Sequence, residues 1–261
     1  MLAFTEKGSG PPVLLVHGFA DSAAMWFLSK PDLFRDYHII ATDLPGHGKS
    51  EPWRGPRLTI QDMARELDNL VNHLELDQFN LIGHSMGGMV AQQYCVEHPQ
   101  RVKTLILCST AVSGSVLVEL GFNIQDLKRD IMNRSLKDLL LKDSLSAHEW
   151  ADVCFARHVD KELVKRYLEL ESLTDSETAV KCLDAINGWQ LDIDRVQFYR
   201  GSTIVVFGDE DKLTPANPCM DGLLAAFKQS VARLVTGAGH MLFIEKPDQF
   251  EDSVRPYITN K

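Results

Sequence analysis

One serine stands between glycines two residues away on either side, in Gly83-His84-Ser85-Met86-Gly87. It follows the apolar run "FNLI" and precedes a stretch with helical character. A hydroxyl lifted out of a very tight strand-to-helix turn must adopt a strained backbone, and side chains two positions before and after it would collide. The glycines answer that demand, and Gly88 lets the following helix pack closely. Serine is a weak nucleophile unless a base lies about 3 Å away and a third group orients that base. Of the nine histidines, His240 is the candidate base, because "VTGAGHMLFIEKP" sets it in a glycine-bearing loop after the last expected strand. The acid is sought after the preceding strand, in "IVVFGDEDKLTP", where Asp211 lies further into the turn than Asp209, which stays the alternative. An oxyanion formed on attack needs preorganised donors. The backbone N–H groups of Met86, next to Ser85, and of Phe19, in the turn after "VLLVHG", are the expected pair.

These residues need a scaffold that brings them to one edge. "LAF", "VLLVH", "YHIIATD", "FNLIG" and "VKTLILCS" read as strands, the later ones as runs buried on both faces. Residues 59–75 read as a helix capped by Thr59, with Ile60, Met63, Ala64, Leu67, Leu70 and Val71 on one face. A second helix runs from Ser85 to Glu97 and stops before Pro99. From Ala111 to Tyr199 no strand pattern appears. "NIQDLKRDIMNRSLKDLLLKD" carries a stripe of Ile124, Leu127 and Ile131, and "DKELVKRYLELESL" one of Leu163, Tyr167 and Leu170. Strands return at "STIVVFG" and "VARLV", around a helix near Met220–Lys228, and a last helix follows Pro247 with Asp248 as its cap. The expected fold is α/β, a mostly parallel central sheet with helices on both faces. Residues 1–110 and 201–261 are expected to form its core, and 111–200 a helical cap over the carboxyl ends of the strands, where open α/β sheets bind ligands.

The 261 residues carry a formal net charge of −9, 44% hydrophobic residues and 24% charged ones. An acidic surface repels phosphate backbones and anionic lipid, so neither a nucleic-acid nor a membrane partner is expected. No apolar run approaches the ~20 residues of a membrane-spanning helix. The opening "MLAFTEKGSGPP" lacks the basic-then-apolar pattern of a cleaved leader. Five scattered cysteines without a Cys-x-x-Cys pair argue against a disulfide framework and a zinc knuckle, and fit reduced thiols in a cytoplasmic protein. Histidines and acids lack metal-ligand spacing, so no metal and no cofactor is expected. His17 and His84 sit beside tight turns and are read as structural, and His47 as part of a surface loop.

Taken together, "HGF" (17–19), "DLPGHGKS" (43–50), "GHSMGG" (83–88), "GDEDKLTP" (208–215) and "GAGHMLFIEKP" (237–247) resemble the α/β-hydrolase fold superfamily. They look most like its small cap-bearing members: esterases, lactonases and carbon–carbon bond hydrolases. The order Ser85, Asp211, His240 is that family's order for nucleophile, acid and base. A serine rather than an aspartate at position 85 speaks against dehalogenase or epoxide hydrolase chemistry, and "HGF" is neither the H-G-G-G nor the H-G-G-P-G loop of other branches. Members usually begin with a strand before the one at "LAF". Asp43 and His47 match the family loop "D-x-x-G-H-G-x-S", with a structural role.

The resemblance implies a cofactor-free serine hydrolase that cleaves a small or medium carboxylic ester or lactone through an acyl-enzyme. The same triad could instead cleave a carbon–carbon bond or eliminate a group, and a receptor on the same fold would bind without turnover. Trp26, Trp189 and Met241 are candidates for the apolar wall of a small-molecule pocket, beside Phe19 and Met86.

Overall fold

The computed structural model describes residues 1–121, 123–141, 145–171 and 173–258. Lys142, Asp143 and Ser172, at the ends of two expected helical stretches, lie outside them. Strands β1 (Phe4–Lys7), β2 (Pro12–Val16), β3 (His38–Thr42), β4 (Phe79–His84), β5 (Val102–Cys108), β6 (Ser202–Gly208) and β7 (Ser230–Val235) form one seven-stranded sheet. Its order is β1-β3-β2-β4-β5-β6-β7, and only the β1–β3 edge pair is antiparallel. The chain therefore reverses its direction of growth between β3 and β4, on either side of β2, and the crevice at such a switch point is where α/β sheets take ligands. β1 begins later than the "LAF" reading, since Phe4 through Lys7 pair with Thr42 through Ile39.

Both sheet faces are covered. Leu14, Val16 and Ile40 point into one core, filled by α1 (Ile60–His73) and α2 (Met86–Glu97). Val13, Leu15 and Ile39 point into the other, with Trp26, Phe34, Phe243 and Phe250. Consecutive residues of one strand alternate between the two cores, as strand geometry requires. Thr59 caps α1 through a reciprocal pair: its hydroxyl accepts from Asp62 N at 3.0 Å, and the Asp62 carboxylate accepts from Thr59 N at 3.0 Å.

Between β5 and β6 the chain runs through α3 (Gly114–Glu119), α4 (Ile124–Arg134), α5 (Leu136–Leu141), α6 (Leu145–Cys154), α7 (Lys161–Glu171), α8 (Ser176–Asn187) and α9 (Ile193–Val196). Ser135, at φ 70°, divides into α4 and α5 what its pattern presents as one helical stretch. The two ends of the segment meet at an antiparallel bridge between Ser113 and Gln190, reinforced by Leu191 N donating to Val112 O at 2.8 Å. After β6 come α10 (Ala216–Ala226), β7, α11 (Leu242–Glu245) and α12 (Pro247–Val254). Asp248 does not cap α12: Pro247 takes the first turn, where its missing N–H costs nothing, and Asp248 sits inside it. Among the described residues, no helix is long and apolar enough to cross a membrane.

Thr59→Ala removes one half of the capping pair while leaving α1's buried face intact. A loss of about 1 kcal/mol in unfolding free energy is expected. Urea denaturation of the two proteins reads it, and an unchanged midpoint would contradict the role given to the cap.

Candidate active site

Ser85 occupies the turn between β4 and α2 with φ 52° and ψ −120°, the left-handed side of backbone space that a β-carbon disfavours. Its surroundings hold it there. Ser85 N donates to Cys108 O at 2.9 Å, and the Thr110 hydroxyl donates to Ser85 O at 2.7 Å. A Cβ on Gly83 would strike the Gly87 carbonyl, and one on Gly87 the carbonyls of Val16 and His17. On Gly88 it would come within 2.6 Å of Thr110 Cβ. The turn, the helix and strands β2 and β5 thus interlock with no room for a methyl group.

His240 follows β7, as its loop suggests, and is almost fully buried. Its Nδ1 lies 3.0 Å from Asp211 Oδ2, and the Asp211 side chain has no exposed surface. Asp211 Oδ1 accepts from Leu213 N at 3.0 Å and Thr214 N at 2.8 Å; the Thr214 hydroxyl donates to Oδ2 at 2.7 Å and lies 3.1 Å from His240 Nδ1. A carboxylate held by so many donors fixes the imidazole with its proton on Nδ1 and leaves Nε2 a lone pair. Asp209 faces elsewhere, accepting from Gly237 N at 2.7 Å. The histidine loop is itself anchored: Glu245 accepts from Gly239 N at 3.0 Å and from Ala156 N at 2.9 Å, which ties it to the segment following α6. His84 Nε2 donates to the His240 carbonyl at 3.0 Å, and the two rings lie 4.7 Å apart.

The other expected residues are distributed as follows. Ser85, His240, Phe19 and Met241 line one small cavity. Met86 is buried and opens α2, so its N–H has no acceptor within the helix. Gly18 brings the preceding loop against the nucleophile: a Cβ there would lie 3.2 Å from Ser85 Cβ and 3.0 Å from His84 Nδ1. Trp26 and Trp189 do not line this cavity. Trp26 is buried, stacks on Phe243 at 4.3 Å and meets His84 edge-on at 6.5 Å. Trp189 is buried at the base of the segment between β5 and β6, where its indole N–H donates to Gln93 Oε1 on α2 at 3.0 Å. Both large rings fill core space. His47 is buried rather than in a surface loop, with its ring 5.0 Å from that of His17 and its Nδ1 3.0 Å from Pro45 O. Desolvation drives its pKa down to about 4, and burial, then His47, lowers that of His17. Desolvation and the neighbouring His240 lower that of His84 as well. Asp43 accepts from Ala23 N at 2.7 Å and Lys49 N at 3.0 Å, bracing both loops beside the site.

The sequence patterns did not point to the rest of the cavity wall: Asp21, Trp150, Cys154, Tyr167, Glu171 and Leu213. Four of these come from α6 and α7, so the segment between β5 and β6 reaches the site. One signal was available. Glu171 stands four residues after Tyr167, which places an acid on the buried stripe of an amphipathic helix. Glu171 is 1% exposed, and its Oε2 accepts from the Trp150 indole at 2.8 Å. Burial, opposed only in part by hydrogen bonds from Trp150 and Tyr167, pushes its pKa up to about 8. Burial, and then Glu171, raises that of Asp21. A second cavity of about 220 Å³ adjoins this one through the shared walls Phe19 and Trp150. It is lined mainly by Leu127, Leu136, Leu139, Leu140 and Val153. All five cysteines are free and buried, and burial raises their thiol pKa values. Among the described residues no group of three or more His, Cys, Asp or Glu side chains is arranged to hold a metal.

The fold and a strained serine beside a buried histidine–carboxylate pair define a class. The α/β hydrolase fold family model matches residues 11–247, and the chain belongs to that family. It is 25% identical to Esterase YbfF of Escherichia coli, covering 98% of this chain and 96% of that one. It is 28% identical to the dihydrolipoyllysine-residue acetyltransferase component of the acetoin cleaving system of Cupriavidus necator, over 98% of this chain and 66% of that one. The chain thus spans just under two thirds of the latter's length. A thermophilic esterase from Thermogutta terrifontis, solved with malate bound, superposes with a TM-score of 0.80 at 26% identity, over 98% of this chain and 92% of that one.

A carboxyl whose folded pKa exceeds its unfolded one binds its proton more tightly in the folded state. Stability from Glu171 is therefore complete below about pH 4.5 and is lost as pH rises through about 8. Glu171→Gln abolishes that contribution. The difference in melting temperature between variant and wild type should shift in the variant's favour across this range, and a difference independent of pH would show that Glu171 is not a buried, proton-holding acid.

Proposed function

We propose that the protein is a serine hydrolase that cleaves small or medium carboxylic esters, lactones included, through an acyl-enzyme. Ser85 is the nucleophile, His240 the base and Asp211 its orienting acid. The observation that carries the reading is the 3.0 Å contact between Asp211 and His240 in a loop that lines one cavity with the strained Ser85. His240 Nε2 takes the Ser85 proton as the hydroxyl attacks the acyl carbon. Asp211 holds the Nδ1 proton and stabilises the imidazolium without taking that proton. The backbone N–H groups of Phe19 and Met86 receive the developing oxyanion, with Met86 at the positive end of α2. His240 then protonates the departing alcohol, and in the second half it activates the water that releases the acid.

Residues 1–110 and 201–261 form the catalytic core in this reading, and 111–200 a cap that shapes the pocket. The apolar cavity of about 220 Å³ behind Phe19 and Trp150 suits an unbranched acyl chain. Esterase relatives of comparable length support ester hydrolysis over acyl transfer. Five buried free thiols are consistent with a reducing, cytoplasmic setting.

A panel of 4-nitrophenyl esters of rising chain length, with lactones alongside, tests the reading. Short and medium esters should turn over, and Ser85→Ala should lower kcat/KM by about 10⁴-fold or more. A fluorophosphonate probe should label the wild type and spare the variant. Equal turnover by both proteins would end the serine-hydrolase reading. Labelling without hydrolysis of any ester or lactone would favour carbon–carbon bond cleavage by the same triad, and ligand binding without labelling or turnover would favour a receptor.

A further inference from the structure

The mechanism above uses one wall of the cavity at Ser85. The same cavity is lined by two acids that it leaves without a task. Asp21 comes from the loop after β2 and Glu171 from the end of α7, and both line the cavity with Ser85 and His240. They are 4% and 1% exposed. The Tyr167 hydroxyl faces both carboxyls, and the backbone of Gly18 donates to Asp21. Glu171 Oε2 is satisfied by Trp150, whereas Glu171 Oε1 is buried and has no hydrogen-bonding partner. No lysine, arginine or histidine among the described residues neutralises either acid. A buried carboxyl pair without a cation is costly, and each acid raises the cost of ionising the other.

We propose that Asp21 and Glu171 form a recognition site for a protonated amino group carried by the substrate, so that the esters this enzyme prefers bear a primary ammonium close to the reacting carbonyl. The proposal rests on the serine-hydrolase reading of Ser85 and adds a substrate class to it. An ammonium supplies what the wall lacks: a positive charge between two acids, and three N–H donors, one of them for the open Glu171 Oε1. A neutral hydroxyl would satisfy that oxygen but leave the charge uncompensated. Until such a cation arrives the pair retains a proton, consistent with the upward displacement of both acids. Because one acid belongs to the β2 loop and the other to α7, the ammonium would bridge the sheet and the helical segment above it. Thr174 already links these two elements, its hydroxyl donating to Ala20 O at 2.8 Å.

Calorimetric titration of n-butylammonium and of 1-butanol into the Ser85→Ala protein at neutral pH tests this. The ammonium should bind about tenfold or more tightly than the alcohol, and Glu171→Gln or Asp21→Asn in the same background should each weaken it by about tenfold or more. Melting temperatures verify that each variant is folded, and either folded variant suffices. Equal affinity for ammonium and alcohol, ammonium affinity unchanged in a folded variant, or no ammonium binding at millimolar concentration would each overturn the proposal. The titration uses a protein that cannot turn over. Ammonium binding in a protein that hydrolyses no ester would overturn the hydrolase reading alone, and ester hydrolysis without ammonium binding would overturn this inference alone.

Discussion

The positive φ of a single serine governs the rest of the site. Residue 85 must leave β4 and enter α2 within one peptide, and no relaxed conformation does that. The strain, of order 1–3 kcal/mol for such a residue, persists only where the surroundings over-determine it. Here they do. The backbone of Ser85 is fastened to β5 through Cys108 and to the next loop through Thr110. The glycines at 83, 87 and 88 let neighbouring carbonyls and Thr110 close to distances that a β-carbon would forbid. Because β2, β4 and β5 are adjacent parallel strands, all of these contacts gather at one edge of the sheet. The strain is thus held at the centre of the sheet, between two apolar cores.

The same edge shows how buried polar groups are made tolerable. His17 accepts from Leu44 N at 2.9 Å through Nε2, which leaves Nδ1 to donate to Gly18 O at 2.8 Å. That bond shapes the loop that presents Phe19. His84 spends its Nε2 proton on the carbonyl of His240. Among the described residues no carboxylate is hydrogen-bonded to either ring, and burial lowers the pKa of both. His240 differs in one respect: its buried neighbour is the anionic Asp211, itself held by two backbone amides and a hydroxyl. Four buried histidines therefore divide into three whose ring nitrogens are engaged by backbone groups, His17, His47 and His84, and one, His240, with a carboxylate at hydrogen-bond distance.

Much of this was legible in the chain. The strands from β2 to β7, the Thr59 cap, the buried face of α1 and the turn at Ser85 all follow from local pattern, because in each the same residues set both conformation and burial. Asp211 is preferred to Asp209 from its position in the turn; in the structure Asp211 lies 3.0 Å from His240 and Asp209 accepts from Gly237. Trp26 and Trp189 show the limit of such reading. An aromatic ring near a site in sequence can face core or cavity equally well, and only the third dimension sets Trp26 on Phe243 and Trp189 on Gln93. His47 failed for a related reason. A loop rich in glycine and charge reads as exposed, but Asp43 folds this one inward by accepting backbone donors from two sides.

The helical segment from α3 to α9 was legible only as helices, and the cause is physical. Amphipathic periodicity identifies a buried stripe but not what lies beneath it. Under α6 and α7 lies part core and part cavity, so Leu163 and Tyr167 read alike although Tyr167 faces an acid pair. The informative residue was the one that broke the pattern, a glutamate in the stripe at position 171. A charged side chain buried on an apolar face loses several kcal/mol of solvation unless something compensates it. For Glu171 the Trp150 indole supplies part of that compensation. The strained serine turn is thus readable from glycines and strand ends, where backbone constraint leaves few alternatives, whereas the surroundings of Glu171 are signalled only by the polar residue that interrupts the stripe.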